Sequence, residues 1–521
     1  MALGLVESVI ALGGDHPTRF FTIIFAVAYL GYVLLRHLVA YISLSRSYKI
    51  NGCERPPRYV IYDPIFGIDF TMGNLKAFRE SRFLERQRAR YETTGTTHYT
   101  FVNGRQAIYT ADPENIKAIL ATNFKDYKIA HRKAIMGPLL GRGIFVSDGE
   151  DWMHSRGLLR PNFVKDQLAD LDMLERHMRE LLRVLPKNPS EVVDLQEYFL
   201  SFTMDSATEF LFGQSSNTLI NSTARDQEFG EAFKFSLNNM ALQMRRGPLN
   251  RFYGKDTKVA RAYRTCRDYV TTYVDLAMDL REKNKAKLHD DDDSDSQTGR
   301  YYFLKELANV LDDRERICDE LLNILVAGRD TTASLLASTF HVLSRRPDLW
   351  HKLRNEVSDL NGRPPSYDQL RNLKFCKYII NETLRLYPPV ALNGRAAVRD
   401  TVLPTGGGPN GTSPIFVPEG RGVIYSPYVM HRRKDFYGED ALEFRPERWE
   451  TQRHGWEYLP FNGGPRICLG QQYALTEATY VIVRLAQEYS SIVTADGTPW
   501  VEDLGLTIAV KGGVNCRLTT A

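Results

Sequence analysis

Apolar residues recur every three or four positions through the middle of the chain, the spacing of one helix face. The pattern predicts helices over Leu168–Leu185, Asp319–Leu343, Leu349–Leu360 and Tyr367–Leu386. Strand-like stretches are short, and they fall at Tyr99–Val102, Ala107–Thr110, Val423–Tyr425 and within residues 502–521. We therefore predict a mainly α protein with small β-sheets.

An apolar run near the N-terminus differs from the rest of the chain. Residues 20–35 carry no charge, and the apolar character continues to residue 44. A membrane-spanning helix needs about 20 such residues. Basic residues lie mainly after the run, so the positive-inside rule places the body in the cytosol. These residues are Arg46, Lys49, Arg55 and Arg58.

We therefore predict a short N-terminal segment over 1–19, a transmembrane anchor over 20–44 and a proline-containing hinge over 45–65. The alternative, a cleaved signal peptide, fits less well, because Glu7 and Asp15 precede the run and no small-x-small cleavage site follows it. The acidic run at 289–296 reads as a solvated loop. Residues 66–521 are then one globular body.

Composition excludes several classes of protein. Hydrophobic residues make up 43% of the 521 residues and charged residues 25%, so the chain is neither disordered nor collagen-like. A net charge of +4 gives no reason to expect nucleic acid as a partner. The six cysteines include no C-x-x-C pair, which argues against a zinc site or a disulfide scaffold.

The segment from Phe461 to Gly470 reads FNGGPRICLG and contains one of those cysteines. Cys468 stands just before a predicted helix, where the helix dipole and backbone N–H groups favour the thiolate, the form that binds metal. Gly464 and Gly470 would let a flat cofactor approach the backbone. Alone, Cys468 fits a buried structural cysteine equally well.

The complete pattern F-x-x-G-x-R-x-C-x-G resembles the signature of the cytochrome P-450 superfamily. The resemblance implies the helix-rich, triangular P-450 fold and a haem b cofactor (iron protoporphyrin IX). It also implies that Cys468 is the axial thiolate ligand of the haem iron, which is the only metal site expected. Further cofactor-binding residues are implied on the loop and on two other segments: Phe461, Gly464, Arg466, Gly470, Trp152, Arg156 and, placed by spacing, Arg395.

Two further segments match the family in order along the chain. Glu382 and Arg385 resemble its E-x-x-R motif, and Arg448 in a P-E-R segment completes a structural triad. The family usually shows Phe where this chain has Trp449. Without the cysteine loop, the first two residues would read as an ordinary surface ion pair, worth roughly 0 to 1 kcal/mol.

The segment from Ala327 to Thr332 reads AGRDTT inside a long apolar helix. Gly and Thr are locally unfavourable there, which by itself indicates either a tolerated kink or a functional site. The resemblance implies the second, with Asp330 and Thr331 as the catalytic acid–alcohol pair that delivers protons.

The resemblance also implies partners. O2 and a small hydrophobic substrate are expected, and electrons would come from a separate NADPH–cytochrome P-450 reductase, with a cytochrome b-type protein as a second candidate donor. A basic surface of Arg432, Arg433, Lys434 and Arg453 could meet the reductase or could simply be solvated. With the predicted anchor, we expect a single-pass endoplasmic reticulum membrane protein facing the cytosol.

Several stretches are similar to yeast-type alkane and fatty-acid hydroxylases, above all Leu403 to Gly408 with its triple glycine. Terminal or near-terminal hydroxylation of a fatty acid or n-alkane is therefore the first expectation. Arg245 and Arg246 would meet the carboxylate or face solvent. The alternatives are a tailoring oxygenase for a terpenoid, polyketide or aromatic compound, a haem-thiolate isomerase that does not use O2, and a non-catalytic haem protein.

Overall fold

The structure, a computed structural model, describes residues 17–129, 132–163, 171–254, 256–287 and 303–521. Helices predominate in these residues, as the sequence predicts. We number them α1 to α18 in chain order: Pro17–Ile50, Ile68–Arg79, Phe83–Thr94, Pro113–Lys117, Arg132–Leu140, Gly149–Leu159, Asp172–Val184, Leu195–Phe212, Ala224–Arg246, Thr257–Lys287, Phe303–Val310, Arg314–Leu343, Pro347–Val357, Tyr367–Asn372, Lys374–Leu386, Pro427–Met430, Lys434–Tyr437 and Gln471–Glu488.

The strands are short and form four small sheets. The largest has five strands in the order β1-β2-β8-β5-β3, and β2 and β8 in it run parallel. The others pair β6 with β7, β10 with β11, and β4-β12-β9. Strands β1 to β12 are Thr97–Val102, Arg105–Thr110, Tyr127–Lys128, Val193–Asp194, Asn393–Ala397, Thr401–Gly407, Ser413–Val417, Gly422–Tyr425, Tyr489–Thr494, Glu502–Leu504, Ile508–Val510 and Asn515–Thr520.

Helix α12 is the structural axis of the body. The Asp313 carboxylate caps it by accepting the Arg316 N–H, and the helix continues without a break to Leu343. Its first half belongs to a hydrophobic core shared with α5, α9 and α10, and its second half to a core shared with α7, α13, α15 and α18. A third core lies against the five-stranded sheet. Residues in the middle of α12 therefore stand where two cores meet.

The predicted elements correspond closely to those observed. The helix predicted from residue 319 begins earlier, at Arg314, and Leu349–Leu360 is covered by α13 and a 3-10 turn. The single helix predicted over Tyr367–Leu386 is wrong, because extended backbone at Leu373 divides it into α14 and α15. The start of the predicted helix at 168–185 lies partly outside the described residues, and α7 covers the remainder.

Helix α1 covers the whole of the predicted anchor and continues into the predicted hinge, ending at Ile50. Within the residues that the structure describes, no helix combines the length and the apolar character needed to cross a membrane. The predicted segment 1–19 falls largely outside those residues, and so does the acidic run at 289–296.

Candidate active site

The loop that carries Cys468 forms one wall of an internal cavity of about 280 Å³. A 3-10 turn, Gly464–Arg466, leads into it, and the Cys468 N–H donates to the Phe461 carbonyl at 3.0 Å. Two residues later, Gly470 is the N-cap of helix α18. The Cys468 side chain is exposed only toward the cavity, because protein surrounds it on the other sides.

Opposing effects act on the Cys468 thiol. Burial raises its pKa, whereas the Gly470 N–H and the Arg156 charge lower it. Those two groups stabilise a negative sulfur, as expected for a residue at a helix N-terminus. Burial prevails over them, so the pKa of Cys468 is raised overall.

Four arginines line the same cavity, and they make it strongly positive. In the described residues one carboxylate forms an ion pair with them, that of Asp148 with Arg466 at 2.7 Å. Burial lowers the pKa of Arg466 to about 10, and the neighbouring arginines add to this shift. Such a cluster needs an anionic ligand, since buried charges are costly unless they are paired. The four are Arg132, Arg156, Arg395 and Arg466.

Trp152 contacts two of these arginines through its indole ring. Its indole is buried, with the Arg466 guanidinium 4.3 Å and the Arg156 guanidinium 5.8 Å from the ring centroid. Cation–π contacts of this kind hold the guanidinium groups while leaving N–H donors free for a ligand. Arg395, on β5, is buried and donates to Asn393 Oδ1 and to the Gly394 carbonyl.

Helix α12 forms the opposite wall, and here the predicted pair separates. Thr331 lines the cavity and its hydroxyl donates to the Ala327 carbonyl at 2.6 Å, whereas Asp330 lies beside the cavity, paired with Arg329 at 2.8 Å. Burial raises the pKa of Asp330, and the Arg329 charge opposes that shift. The structure thus brings the alcohol, but not the acid, to the cavity surface.

The predicted triad lies behind the cysteine loop and is completely buried. Arg385 binds both oxygens of Glu382, at 2.8 and 2.9 Å, and Arg448 Nε binds Oε1 at 2.9 Å. Burial would raise the pKa of Glu382, but the hydrogen bonds and charge of Arg385 lower it overall. The Trp449 indole adds a fourth side-chain hydrogen bond, to Oε2 at 3.0 Å, which a phenylalanine could not make.

Residues 69–513 match the cytochrome P450 family. The chain belongs to that family. The match covers the cysteine loop, the triad and α12, so the predicted family is confirmed and the protein is a cytochrome P450 monooxygenase.

Several fungal cytochrome P450s are similar to this one over nearly their whole length. Cytochrome P450 monooxygenase himC of Aspergillus japonicus is 56% identical, across 90% of this chain and 84% of its own. Cytochrome P450 monooxygenase fsdH of Fusarium heterosporum is 48% identical, across 95% and 88%. Cytochrome P450 52A3-B of Candida maltosa is 40% identical, across 95% of both chains.

The residues of this P450 fit the haem-thiolate cofactor that the family implies. Cys468 supplies the sulfur, and the four arginines with Trp152 supply the partners that a group bearing two carboxylates requires. Apolar side chains line the same cavity, among them Phe163, Phe461 and Leu469. Three of these arginines have no carboxylate partner among the described residues, and they share one cavity with the thiol, which fits an anionic, metal-containing ligand.

One predicted cofactor contact is placed differently. Gly464 does not line the cavity; it has a φ of +66°, and a Cβ there would lie 1.9 Å from the Leu120 carbonyl oxygen. Its role is to let the cysteine loop pack against the backbone of the neighbouring helical turn. Gly470 and Phe461, by contrast, do lie on the cavity.

The sequence did not reveal every residue of the site. Arg132 lines the cavity but belongs to no recognised pattern, and no signal in the sequence could have found it. The predicted basic surface is also altered, because Arg432 points inward and donates to the Tyr428 and Leu386 carbonyls. Arg433 and Lys434 pair with the neighbouring carboxylates of Asp435 and Glu439.

Proposed function

We propose that this cytochrome P450 is a tailoring monooxygenase of fungal secondary metabolism, which inserts one oxygen atom of O2 into a C–H bond of a terpenoid, polyketide or aromatic compound. The observation that carries the proposal is the order of similarity. Identity is 56% and 48% to the Aspergillus and Fusarium monooxygenases and 40% to the Candida chain. The likeness to yeast-type alkane and fatty-acid hydroxylases is therefore the more distant one.

The cavity supports a neutral substrate. Outside the arginine cluster beside Cys468, its described lining carries no charged side chain. Arg245 and Arg246, the candidates for a fatty-acid carboxylate, do not reach it; they stack on Phe78 and Tyr253, at 4.6 and 3.8 Å from the ring centroids. An apolar pocket with few polar groups selects ligands by shape and apolar area.

We assign each group of residues one task. Haem b, when bound, supplies the activation of O2. Cys468 would hold it through its sulfur, and the arginine cluster would bind its carboxylates. The Thr331 hydroxyl presents a proton donor on the opposite wall. Asp330 restores the proton from the protein side, through water, while Arg329 holds its carboxylate in place.

Electrons come, in this proposal, from a separate NADPH–cytochrome P450 reductase, as cytochrome P450 monooxygenases generally use a reductase and O2. A cytochrome b-type protein as second donor is part of the same proposal. Purified reductase and NADPH should reduce the protein in the presence of carbon monoxide. A requirement for a different donor would refute this part.

We further propose attachment to the endoplasmic reticulum membrane through α1, with the body in the cytosol. Large apolar side chains of this helix are exposed, among them Phe25, Val27 and Leu35 at 74%, 64% and 60%. Exposed apolar area of this kind needs a lipid or protein partner. Alkaline carbonate extraction of membranes tests the proposal, and release of the protein into the soluble fraction would refute it.

The substrate proposal is tested with a matched panel under 18O2. Membranes holding the protein and its reductase receive NADPH and either terpenoid, polyketide and aromatic compounds or a fatty acid and an n-alkane. We expect labelled product from the first group. Labelled product from the acyl chains alone would refute the tailoring assignment and restore terminal hydroxylation, which the 40% identity to the Candida chain favours.

A further inference from the structure

Residues 141–145 form the first part of the loop that joins α5 to α6, and side chains of helix α12 hold them in place. Three of its backbone N–H groups donate to three buried side chains on the first half of α12. The pairs are Arg142 with Asp319 Oδ2 at 2.8 Å, Ile144 with Glu320 Oε2 at 3.3 Å and Phe145 with Asn323 Oδ1 at 3.0 Å.

Asn323 joins both ends of this loop to the helix. Its oxygen accepts from Phe145, and its Nδ2 donates to the Leu140 carbonyl at 2.9 Å. The side chain is fully buried, so neither bond is exchanged for one with bulk water. Removing a partner from such a site leaves a buried donor or acceptor unsatisfied, which destabilises the contact.

Two glycines make this close approach sterically feasible. Gly141 has a φ of +57°, and a Cβ on it would lie 2.0 Å from the Asp319 carboxylate. A Cβ on Gly143 would lie 2.1 Å from Asn323 Nδ2. The loop and α12 are therefore fitted to each other at both glycines, and any side chain there would push the loop away.

The position of this loop affects the cavity because two of its residues reach the cavity surface. The side chains of Ile144 and Phe145 line it, together with Thr331. Asn323 and Thr331 lie on the same helix, about 12 Å apart along its axis at 1.5 Å per residue. Helix α12, which carries the Thr331 hydroxyl, thus also fixes the position of Phe145 in the cavity lining.

We propose that Asn323 is a positioning residue, which holds Phe145 as a specificity-determining wall and so selects the part of the substrate that reaches Thr331. The inference rests on the proposed monooxygenase function and extends it to substrate selection. Asp319 has the supporting role at the other end of the loop, where Arg267 also binds it at 2.8 Å.

The test uses the haem-loaded, full-length protein and two probes, imidazole and 4-phenylimidazole, titrated by absorbance. Both bind through the imidazole nitrogen, but only the second places a ring in the cavity. Asn323→Ala should weaken 4-phenylimidazole binding by about fivefold or more and leave imidazole within about twofold. Ser334→Ala is the control, because this buried hydroxyl of α12 has no hydrogen-bond partner among the described residues.

Gly143→Ala tests the same contact from the loop side and should give the same selective loss. Because both changes act on one contact, the double variant Asn323→Ala/Gly143→Ala should weaken 4-phenylimidazole binding no more than Asn323→Ala alone. Phe145→Ala removes the wall without altering the hydrogen bonds and should also weaken only 4-phenylimidazole. Gly143→Ala and Phe145→Ala test the proposal even if Asn323→Ala does not take up haem.

Equal weakening of both probes, or no weakening of 4-phenylimidazole in Gly143→Ala and Phe145→Ala, would overturn the inference. The titration needs no reductase, O2 or substrate. A substrate panel without labelled product from terpenoid, polyketide and aromatic compounds would therefore refute the proposed function but leave the probe result unchanged. Probe titrations without the selective loss would refute only the role of Asn323.

Discussion

The indole N–H of Trp449 donates a 3.0 Å hydrogen bond to Glu382 Oε2, inside the buried cluster behind the cysteine loop. Arg385 and Arg448 already bind this carboxylate, so Trp449 contributes a further charge-assisted bond to a fully buried group. The position at which the family usually has phenylalanine is therefore part of the hydrogen-bond network in this protein.

Trp449→Phe should lower the free energy of unfolding by about 1.5–3 kcal/mol, since a hydrogen bond to a buried charge is lost. Denaturant titration followed by haem absorbance measures it. Trp500→Phe is the matched control, because its indole N–H has no acceptor among the described residues. Equal effects of the two changes would show that ring volume, and not the bond, matters at Trp449.

Gly464→Ala should prevent normal haem uptake. A methyl group there would lie 1.9 Å from the Leu120 carbonyl oxygen, and the φ of +66° is unfavourable for alanine. The cysteine loop must then shift, carrying Cys468 with it. Haem content per protein is the measurement. Gly157→Ala, where the added carbon meets no atom within 4 Å, should retain the haem.

Glu477 should make stability depend on pH. Burial raises its pKa from 4.5 to about 7, against opposing hydrogen bonds from Ser206 and Thr332 and the nearby charge of His177. Because the folded protein binds this proton more tightly than the unfolded chain, the stabilisation is complete below pH 4.5. It is lost as pH rises to about 7.

Glu477→Gln should remove this dependence. Relative to the parent protein, the variant should gain up to about 3 kcal/mol between pH 4.5 and 8, because one pKa unit corresponds to about 1.4 kcal/mol. Unfolding midpoints across that range measure the difference. Glu488→Gln, at the end of the same helix on the surface, is the control, and a constant difference between parent and Glu477→Gln would refute the prediction.

Thr331→Ala should uncouple NADPH consumption from product formation. The cavity wall then lacks its hydroxyl proton donor, so reduced oxygen leaves as peroxide. Product per NADPH should fall by about tenfold, equivalent to about 1.4 kcal/mol at the branch point. Thr339→Ala, whose hydroxyl bonds the Leu335 carbonyl in the same way but away from the cavity, should stay coupled. An unchanged ratio in Thr331→Ala would remove Thr331 from the proton path.

Local patterns in the sequence predicted the main elements well. The long apolar helix through Thr331 and the short strands around Tyr109 appear where their periodicity places them. The break at Leu373 was not predictable from periodicity, because the apolar pattern continues across it and only the backbone turns.

Site residues were predictable where they sit in a fixed spacing, as Cys468 and Glu382 do. Arg132 and Asn323 were not, because their roles come from contacts with segments distant in the chain. The packing of Gly464 was not predictable either, because the atom that an added Cβ would meet is the carbonyl oxygen of Leu120, far away in the chain. Such contacts depend on tertiary packing, which one sequence does not encode in a short pattern.

The measurement that tests the account most directly is the carbon monoxide difference spectrum of the reduced protein, compared with that of Cys468→Ala. We predict a thiolate-type spectrum for the parent and for Cys53→Ala, a cysteine outside the cavity, and its complete loss in Cys468→Ala. A thiolate-type spectrum that persists in Cys468→Ala would contradict the assignment of this sulfur as the haem ligand, and with it the site built around the loop.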